Sequence, residues 1–322
     1  MTAPLVSIII PFFNGESLFH YTIDSILNQS FDNFEVVIVD DGSNERNKAA
    51  LREFGQRDTR IIIHEKPNGG VASARNFGIA ASSGSYIALC DQDDTWHPDK
   101  LARQVEHLDN HPDCALTYTA IEFIDEHGEA ISTPDWAWVS DIDGDGLRAL
   151  FKQNRIATFT AMFRRNMLPS AEPFRQHLAP SDDWDLWLRL AIDHPFGYIP
   201  QVLGQYRVHA GNESRNLMRM QNAENSVIET FVQEHPDAVT RLGKTLVEKK
   251  LSALYIETAK LHFQKNDLEE ARRYCRKAIK HDCSFSNVLT YASTAYTPTM
   301  RNRYAWYKKR LSNLWGSTGS RT

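Results

Sequence analysis

The 322-residue chain has only four cysteines, Cys90, Cys114, Cys275 and Cys283, with no CxxC pair and no metal-ligand spacing among them. Such sparse use excludes a disulfide framework and points to a reducing compartment. Long apolar runs are missing as well. The opening MTAPLVSIIIPFFNG lacks a basic leader, and its apolar run is far too short for a signal peptide or a membrane span. No later segment approaches a span, so a cytoplasmic location is expected. Nor is there an excess of basic charge: 36 Lys and Arg stand against 41 Asp and Glu, a net charge of −5. No nucleic-acid partner is expected, because such partners leave a basic footprint, and any polyanion site must be local. The sequence contains neither GxGxxG nor GxxxxGK[ST], which argues against a dinucleotide fold and a P-loop.

What the sequence does contain is a run of buried-strand patterns. LVSIIIPF (5–12), FEVVIVDD (34–41), RIIIHE (60–65) and SYIALCD (85–91) are continuous apolar runs, as strands covered on both faces of a parallel sheet require. Helical spacing fills the intervals, in 16–29 and 71–82. The βαβαβαβ order predicts an α/β fold with a doubly wound sheet. Ligands of such sheets bind beyond the carboxyl ends of the strands, and all four runs end there in polar loops. Those loops should share one edge.

Past residue 110 the pattern loosens. Strands are expected over 115–125 and 157–165, and an amphipathic helix over 181–193. This half holds most of the tryptophans, for which core packing is the first explanation and an aromatic sugar or acceptor surface the second. From about residue 215 the chain reads as helical, with Ala259, Ala271 and Ala278 at the small-residue positions of a tetratricopeptide-like helix pair. The resulting domain reading is 1–110, 111–214 and a helical region over 215–322. The stretch MRNRYAWYKKRLSNLWGSTGSR is basic and aromatic without an acid, the composition of a helix on an anionic membrane surface. Peripheral membrane contact through 300–316 is one expectation, and a solvated basic helix is the other.

Three constellations carry chemistry. CDQDD places Asp91, Asp93 and Asp94 at a strand end, where carboxylates can present oxygens to one divalent cation. Asp94 can equally cap the helix expected to begin near Pro98. VDDGSN puts Asp41 at the second strand end, either as part of a turn or as an acceptor for the imide N3–H of uracil or thymine, which cytosine lacks. In NGGVASARN, Gly69 and Gly70 offer N–H groups ahead of a helix that carries Arg75.

VSIIIPFFNGE, VVIVDDGSN, NGGVASARNFGIAASSGSYIALCDQDDTWHPDKL, SDDWDLWLRLA and YRVHAGNES occur in the order and rough spacing of the family 2 glycosyltransferases. Over residues 4–214 the chain resembles these inverting enzymes of GT-A fold. The resemblance implies a nucleotide-sugar site formed by Pro11, Phe12, Asn14, Glu16, Asp41, Asn68, Arg75, Asp91 and Gln92. It implies Mn²⁺ or Mg²⁺ held at a DxD matched by Asp91 and Asp93, with His209 as a further ligand, and Arg207 and Ser214 at phosphate oxygens or a closing loop. It implies a catalytic base at Asp183, with Asp182 as alternate, since this chain has Asp where the family commonly has Glu. The donor would be a UDP-sugar, or less commonly a dTDP-sugar, and the acceptor a glycan or lipid-linked hydroxyl in surface polysaccharide synthesis.

Two other functions fit the sequence less well. A sugar nucleotidyltransferase would open with a Gly-rich basic loop, which PFFNGES is not. A non-catalytic nucleotide-binding scaffold would have no need of the acids at 93 and 183. Specificity for donor sugar and for acceptor is expected to lie in loops of the second half, over 131–146 and 169–180.

Overall fold

A computed structural model describes residues 4–133, 139–142, 145–284, 287 and 290. The chain divides into two compact units, Met1–Asn216 with Ser226–Ala238, and Leu217–Asn225 with Val239–Thr322.

In the first unit each of the four apolar runs becomes a strand: β1 (Val6–Phe12), β2 (Phe34–Asp40), β3 (Ile61–Glu65) and β4 (Tyr86–Leu89). They pair in parallel in the order β3-β2-β1-β4. The reason they are runs rather than alternations is visible in β1. Val6, Ile8, Ile10 and Phe12 share one core with Phe19, Ile23 and Ile26 of helix α1 (Glu16–Leu27). Ile9 points to the other face, where Gly78 of α3 (Val71–Ala81) lies so close that a Cβ there would be 2.6 Å from Ile9 Cγ2. Both faces are therefore covered, and each buried aliphatic side chain contributes about 1.5–3 kcal/mol. Helix α2 (Glu45–Gly55) completes the doubly wound half and is capped by Asn44, whose side chain accepts from Asn47 N at 3.1 Å.

The second half of the unit adds β5 (Thr95–Trp96), α4 (Lys100–Asn110), β6 (Leu116–Ile124), β7 (Ala130–Ile131), α5 (Gly146–Lys152), β8 (Met162–Arg164), α6 (Asp182–Leu190) and β9 (Phe196–Arg207). The sheet continues β4-β8-β6-β9-β5 and becomes mixed, with β8 antiparallel to both its neighbours and β9 parallel to β6. Pro200 falls at a register shift between Thr119 and Ala120, where a residue without an N–H is tolerated.

Two expectations about local structure fail. The strand expected over 157–165 is only Met162–Arg164, because Thr160 turns back and donates both its N–H, at 2.9 Å, and its hydroxyl, at 2.7 Å, to Ala157 O. Asp94 is not a helix cap: α4 begins at Lys100 with no side-chain cap, and Asp94 Oδ1 accepts from Arg207 N at 2.9 Å. Arg164 and Arg165 place their guanidinium groups on the C-terminal carbonyls of α4 and α3, at Leu108 O and Ile79 O, where a cation is favoured.

Helix α7 (Leu217–Glu234) follows, then α8 (Pro236–Leu242), α9 (Lys244–Gln264) and α10 (Leu268–His281). In the second unit α9 and α10 form a hairpin in which Ala259, Ala271 and Ala278 are buried and Ser252 Oγ donates to Ala278 O at 3.0 Å. No helix among the described residues is long and apolar enough to cross a membrane. The stretch 300–316 lies outside the described residues, as does part of 131–146. Trp184 and Trp187 are core residues, and all four cysteines are free.

Candidate active site

The four loops at the carboxyl edge of β1–β4 are stitched to one another. Asn14, in the left-handed region at φ 51°, receives Asn44 N on its Oδ1 at 3.0 Å, and its own N–H reaches Ser43 Oγ at 3.0 Å. Gln92 pairs with the backbone of Phe13: Phe13 N donates to Oε1 at 2.9 Å and Nε2 donates to Phe13 O at 3.4 Å. Its amide lies against Gly15, where a Cβ would stand 2.4 Å from Gln92 Cδ. Glu16 forms an ion pair with Arg46, and its N–H reaches Asn47 Oδ1 at 3.1 Å. Phe12 turns its ring into the core against Phe19, so Phe12 offers the loop only backbone, its carbonyl accepting Asp41 N at 2.8 Å. Pro11, beside it, pairs with Val39 in the sheet.

Asp41 is buried and heavily engaged. It accepts Gly69 N at 3.0 Å, Gly70 N at 2.7 Å and the Lys66 ammonium. It thereby fixes the turn into α3, which requires Gly42 at φ +81° against Asn68 N. Lys66 was not singled out by sequence, since nothing local marks its reach across to β2.

The acidic cluster is held by one guanidinium. Arg75, 5% exposed, donates through Nη1 to Asp182 at 3.1 Å and through Nη2 to Asp91 at 3.0 Å, over the ring of Phe174. Burial works against its charge, but Asp182, Asp91 and Asp183 outweigh this and raise its pKa. Arg75 Nε and Asp182 Oδ1 are buried without a partner among the described residues. Next on α3, Asn76 clamps Phe174 with bonds of 2.7 and 2.9 Å, tying the 169–180 segment to the site.

Asp93 Oδ2 lies 2.7 Å from His209 Nε2. Gly211 N donates to Nδ1 at 3.1 Å, so the ring hydrogen is on Nε2 and points to Asp93. If this pair held a metal through Nε2, the ring hydrogen would sit on Nδ1 and the Gly211 contact would be lost. No group of three or more His, Cys, Asp or Glu among the described residues is placed to hold a metal. One carboxylate and one imidazole do fit a hard cation that takes its remaining ligands from water and phosphate. Asp91, by contrast, is paired with Arg75. Arg207 is almost wholly buried and bonds to carbonyls, Nε to Asp93 O at 2.9 Å and Nη1 to Asp125 O at 3.1 Å. Ser214 Oγ is 3.1 Å from Tyr206 OH.

Helix α6 starts with three acids in its first turn, favoured by the helix dipole, and their partners separate them. Asp185 is bound by Arg189 at 2.7 Å. Asp182 belongs to Arg75. Asp183 accepts Trp184 N on Oδ1 at 2.7 Å and Thr158 Oγ1 on Oδ2 at 2.6 Å, with Asn154 Nδ2 at 3.4 Å. Burial, reinforced by Asp182, pushes its pKa up to about 6, against the lowering effect of Thr158, Arg75 and Trp184 N–H. Of the two acids named as base, Asp183 is the one without a cationic partner at hydrogen-bond distance among the described residues.

A parallel half with loops interlocked at its carboxyl edge, continued by a mixed half, is the GT-A architecture. The chain belongs to glycosyl transferase family 2, whose model matches residues 7–168. It is 32% identical over 212 residues to an uncharacterized glycosyltransferase of Rickettsia bellii, covering 64% of this chain but 29% of that protein. A similar protein of Methanocaldococcus jannaschii is 29% identical over 65% of this chain and 72% of its own length. One from Rickettsia typhi is 25% identical over 95% of this chain and 97% of its own. In fold, the chain is similar to S. aureus TarS 1-349 in complex with UDP-GlcNAc, at a TM-score of 0.67, 13% identity and coverage of 94% and 91%. It is also similar to a mannosyltransferase of Pyrobaculum calidifontis in complex with GDP-Man and Mn²⁺, at 0.62, 18%, 98% and 88%.

Proposed function

We propose that this chain is an inverting glycosyltransferase that moves a sugar from a UDP-sugar to a hydroxyl of a glycan or lipid-linked acceptor. The observation that carries the reading is Asp183: a buried carboxylate with its pKa near 6, next in sequence to the acid that Arg75 links to the donor loops. A base poised just below neutral pH is ionised under working conditions and still able to take a proton.

The interlocked loops at residues 13–16, 41–44 and 68–70 hold the nucleotide, and Asp41 supplies a carboxylate at the pyrimidine edge. Arg75 neutralises Asp91 and Asp182, so the donor phosphates meet less negative charge than the sequence alone implies. Asp183 removes the acceptor hydroxyl proton as that oxygen bonds to the anomeric carbon and the bond to the diphosphate breaks, a single displacement that inverts configuration. Asp93 and His209 would hold Mn²⁺ or Mg²⁺, which when bound stabilises charge on the departing diphosphate. A role in surface polysaccharide synthesis is consistent with such an acceptor.

A second donor class has an observation in its favour: guanine also presents an N–H to a carboxylate, and one structural neighbour is in complex with GDP-Man. Thermal shift with UDP, dTDP, GDP and CDP, each with Mn²⁺ or EDTA, separates these. UDP at about 100-fold its Kd should add about 2.7 kcal/mol, a shift of several degrees, and CDP at the same concentration much less. In EDTA, or in Asp93→Ala, most of the UDP shift should vanish. Stabilisation by GDP alone would overturn the UDP assignment, and a shift indifferent to EDTA would overturn the metal. Release of UDP from a panel of UDP-sugars then identifies the donor.

A further inference from the structure

Asp183 is held by a neighbouring stretch of chain as well as by its own helix. Residues 154–160 pass over the start of α6, and their backbone is fixed from several sides. Trp96 Nε1 donates to Phe159 O at 3.0 Å, Gln104 Nε2 to Thr160 O at 2.9 Å, and Ala161 N to Thr158 O at 3.1 Å. Ile156, Phe159 and Thr160 are buried on either side of Thr158. The Thr158 hydroxyl is thus delivered by a rigid turn, 2.6 Å from Asp183 Oδ2, while Trp184 N holds Oδ1. From this geometry we propose that Thr158 is a positioning residue for the transfer reaction. Its hydroxyl donates to Asp183 Oδ2, fixes the plane of the carboxylate, and leaves a defined lone pair for the incoming proton.

The inference rests on the reading of Asp183 as base. The groups facing that carboxylate are Asp182 beside it on α6, Arg75 from α3, and Thr158 and Asn154 from this segment. Thr158 opposes the effect of Asp182 and of burial, so losing it leaves Asp183 harder to ionise. A hydrogen bond to a charged group is among the stronger ones, so its loss is expected to be visible in rate.

The test compares Thr158→Val, which keeps the shape, with Thr158→Ser, which keeps the hydroxyl, in the full chain. UDP release with acceptor is measured from pH 5 to 9, alongside Asp183→Asn. Thr158→Val should lower kcat about 10- to 100-fold near neutral pH, leave KM for the donor within about twofold, and move the acid limb of the kcat profile to higher pH. Thr158→Ser should restore most of kcat and return the limb. An unmoved limb with normal kcat in Thr158→Val, or equal losses in both variants, would overturn the role of the hydroxyl. If Asp183→Asn is inactive while Thr158→Val is normal, only the positioning role falls. If Asp183→Asn turns over normally, both readings fall.

Discussion

Asp183→Asn is expected to lower kcat for sugar transfer by about 10²–10⁴-fold, the usual worth of a positioned general base, with donor affinity nearly unchanged. Asn keeps the carbonyl that Trp184 N needs and nearly the same volume, but it cannot take a proton. The wild-type rate should rise with pH through about 6 and level off, because only the ionised carboxylate is a base. The same substitution should stabilise the protein above neutral pH. The folded-state pKa of Asp183 lies above its ordinary value of 3.8, so its contribution to stability is most favourable below that value and is lost as pH rises through 6. About two pKa units correspond to about 3 kcal/mol of buried-charge penalty. Part of it returns when Asn removes the charge. Urea midpoints at pH 5 and pH 8 check this: the gap between Asn and Asp should widen at the higher pH. An inactive variant whose stability gap over the wild type is no wider at pH 8 than at pH 5 would contradict the burial argument while leaving the base intact.

Arg75→Met should be the most destabilising single change at the site. The guanidinium is 5% exposed, and Asp182 beneath it is fully buried. Removing it strands Asp182 as an uncompensated interior charge, which costs about 3–5 kcal/mol. Asp91, with a third of its side chain exposed, adds less because solvent can screen it. Met fills much of the same space, so a loss of this size would be electrostatic rather than a cavity effect. Arg75→Lys should recover part of it, since an ammonium cannot bond both acids in the fork that Nη1 and Nη2 make here. The check is the chemical-denaturation midpoint of Arg75→Met alone and with Asp182→Asn. The second substitution should give back stability, whereas additive losses would mean that the two side chains do not depend on one another.

The first half of the fold is legible in sequence because its signals are local. Val6 to Phe12 or Phe34 to Asp40 reads as a two-sided buried strand without knowledge of the partner, and the polar residues after each strand announce a shared edge. The family resemblance, resting on five stretches in order, is borne out. What could not be read depends on distant chain segments. Thr158 sits 25 residues from Asp183 in a segment that reads as strand, and only the turn made by Thr160 aims its hydroxyl. Asp94 has the composition of a helix cap and instead binds a backbone N–H 113 residues away. Nothing local marks Arg75 as an interior residue; Asp91 after β4 and Asp182 at the start of α6 make it one.

The pairing of Gln92 with Phe13 bears on how this sequence can change over time. Gln92 is the middle residue of a motif defined by its flanking acids, so by that pattern alone position 92 is a free letter. Here its amide copies the hydrogen bonding of a strand neighbour for Phe13, and the room for it exists only because residue 15 has no side chain. Positions 15 and 92 therefore depend on one another: a methyl at 15 displaces the amide, and a shorter residue at 92 leaves Phe13 without its partners. A substitution at either position is thus constrained by the other, although they lie 77 positions apart in the chain.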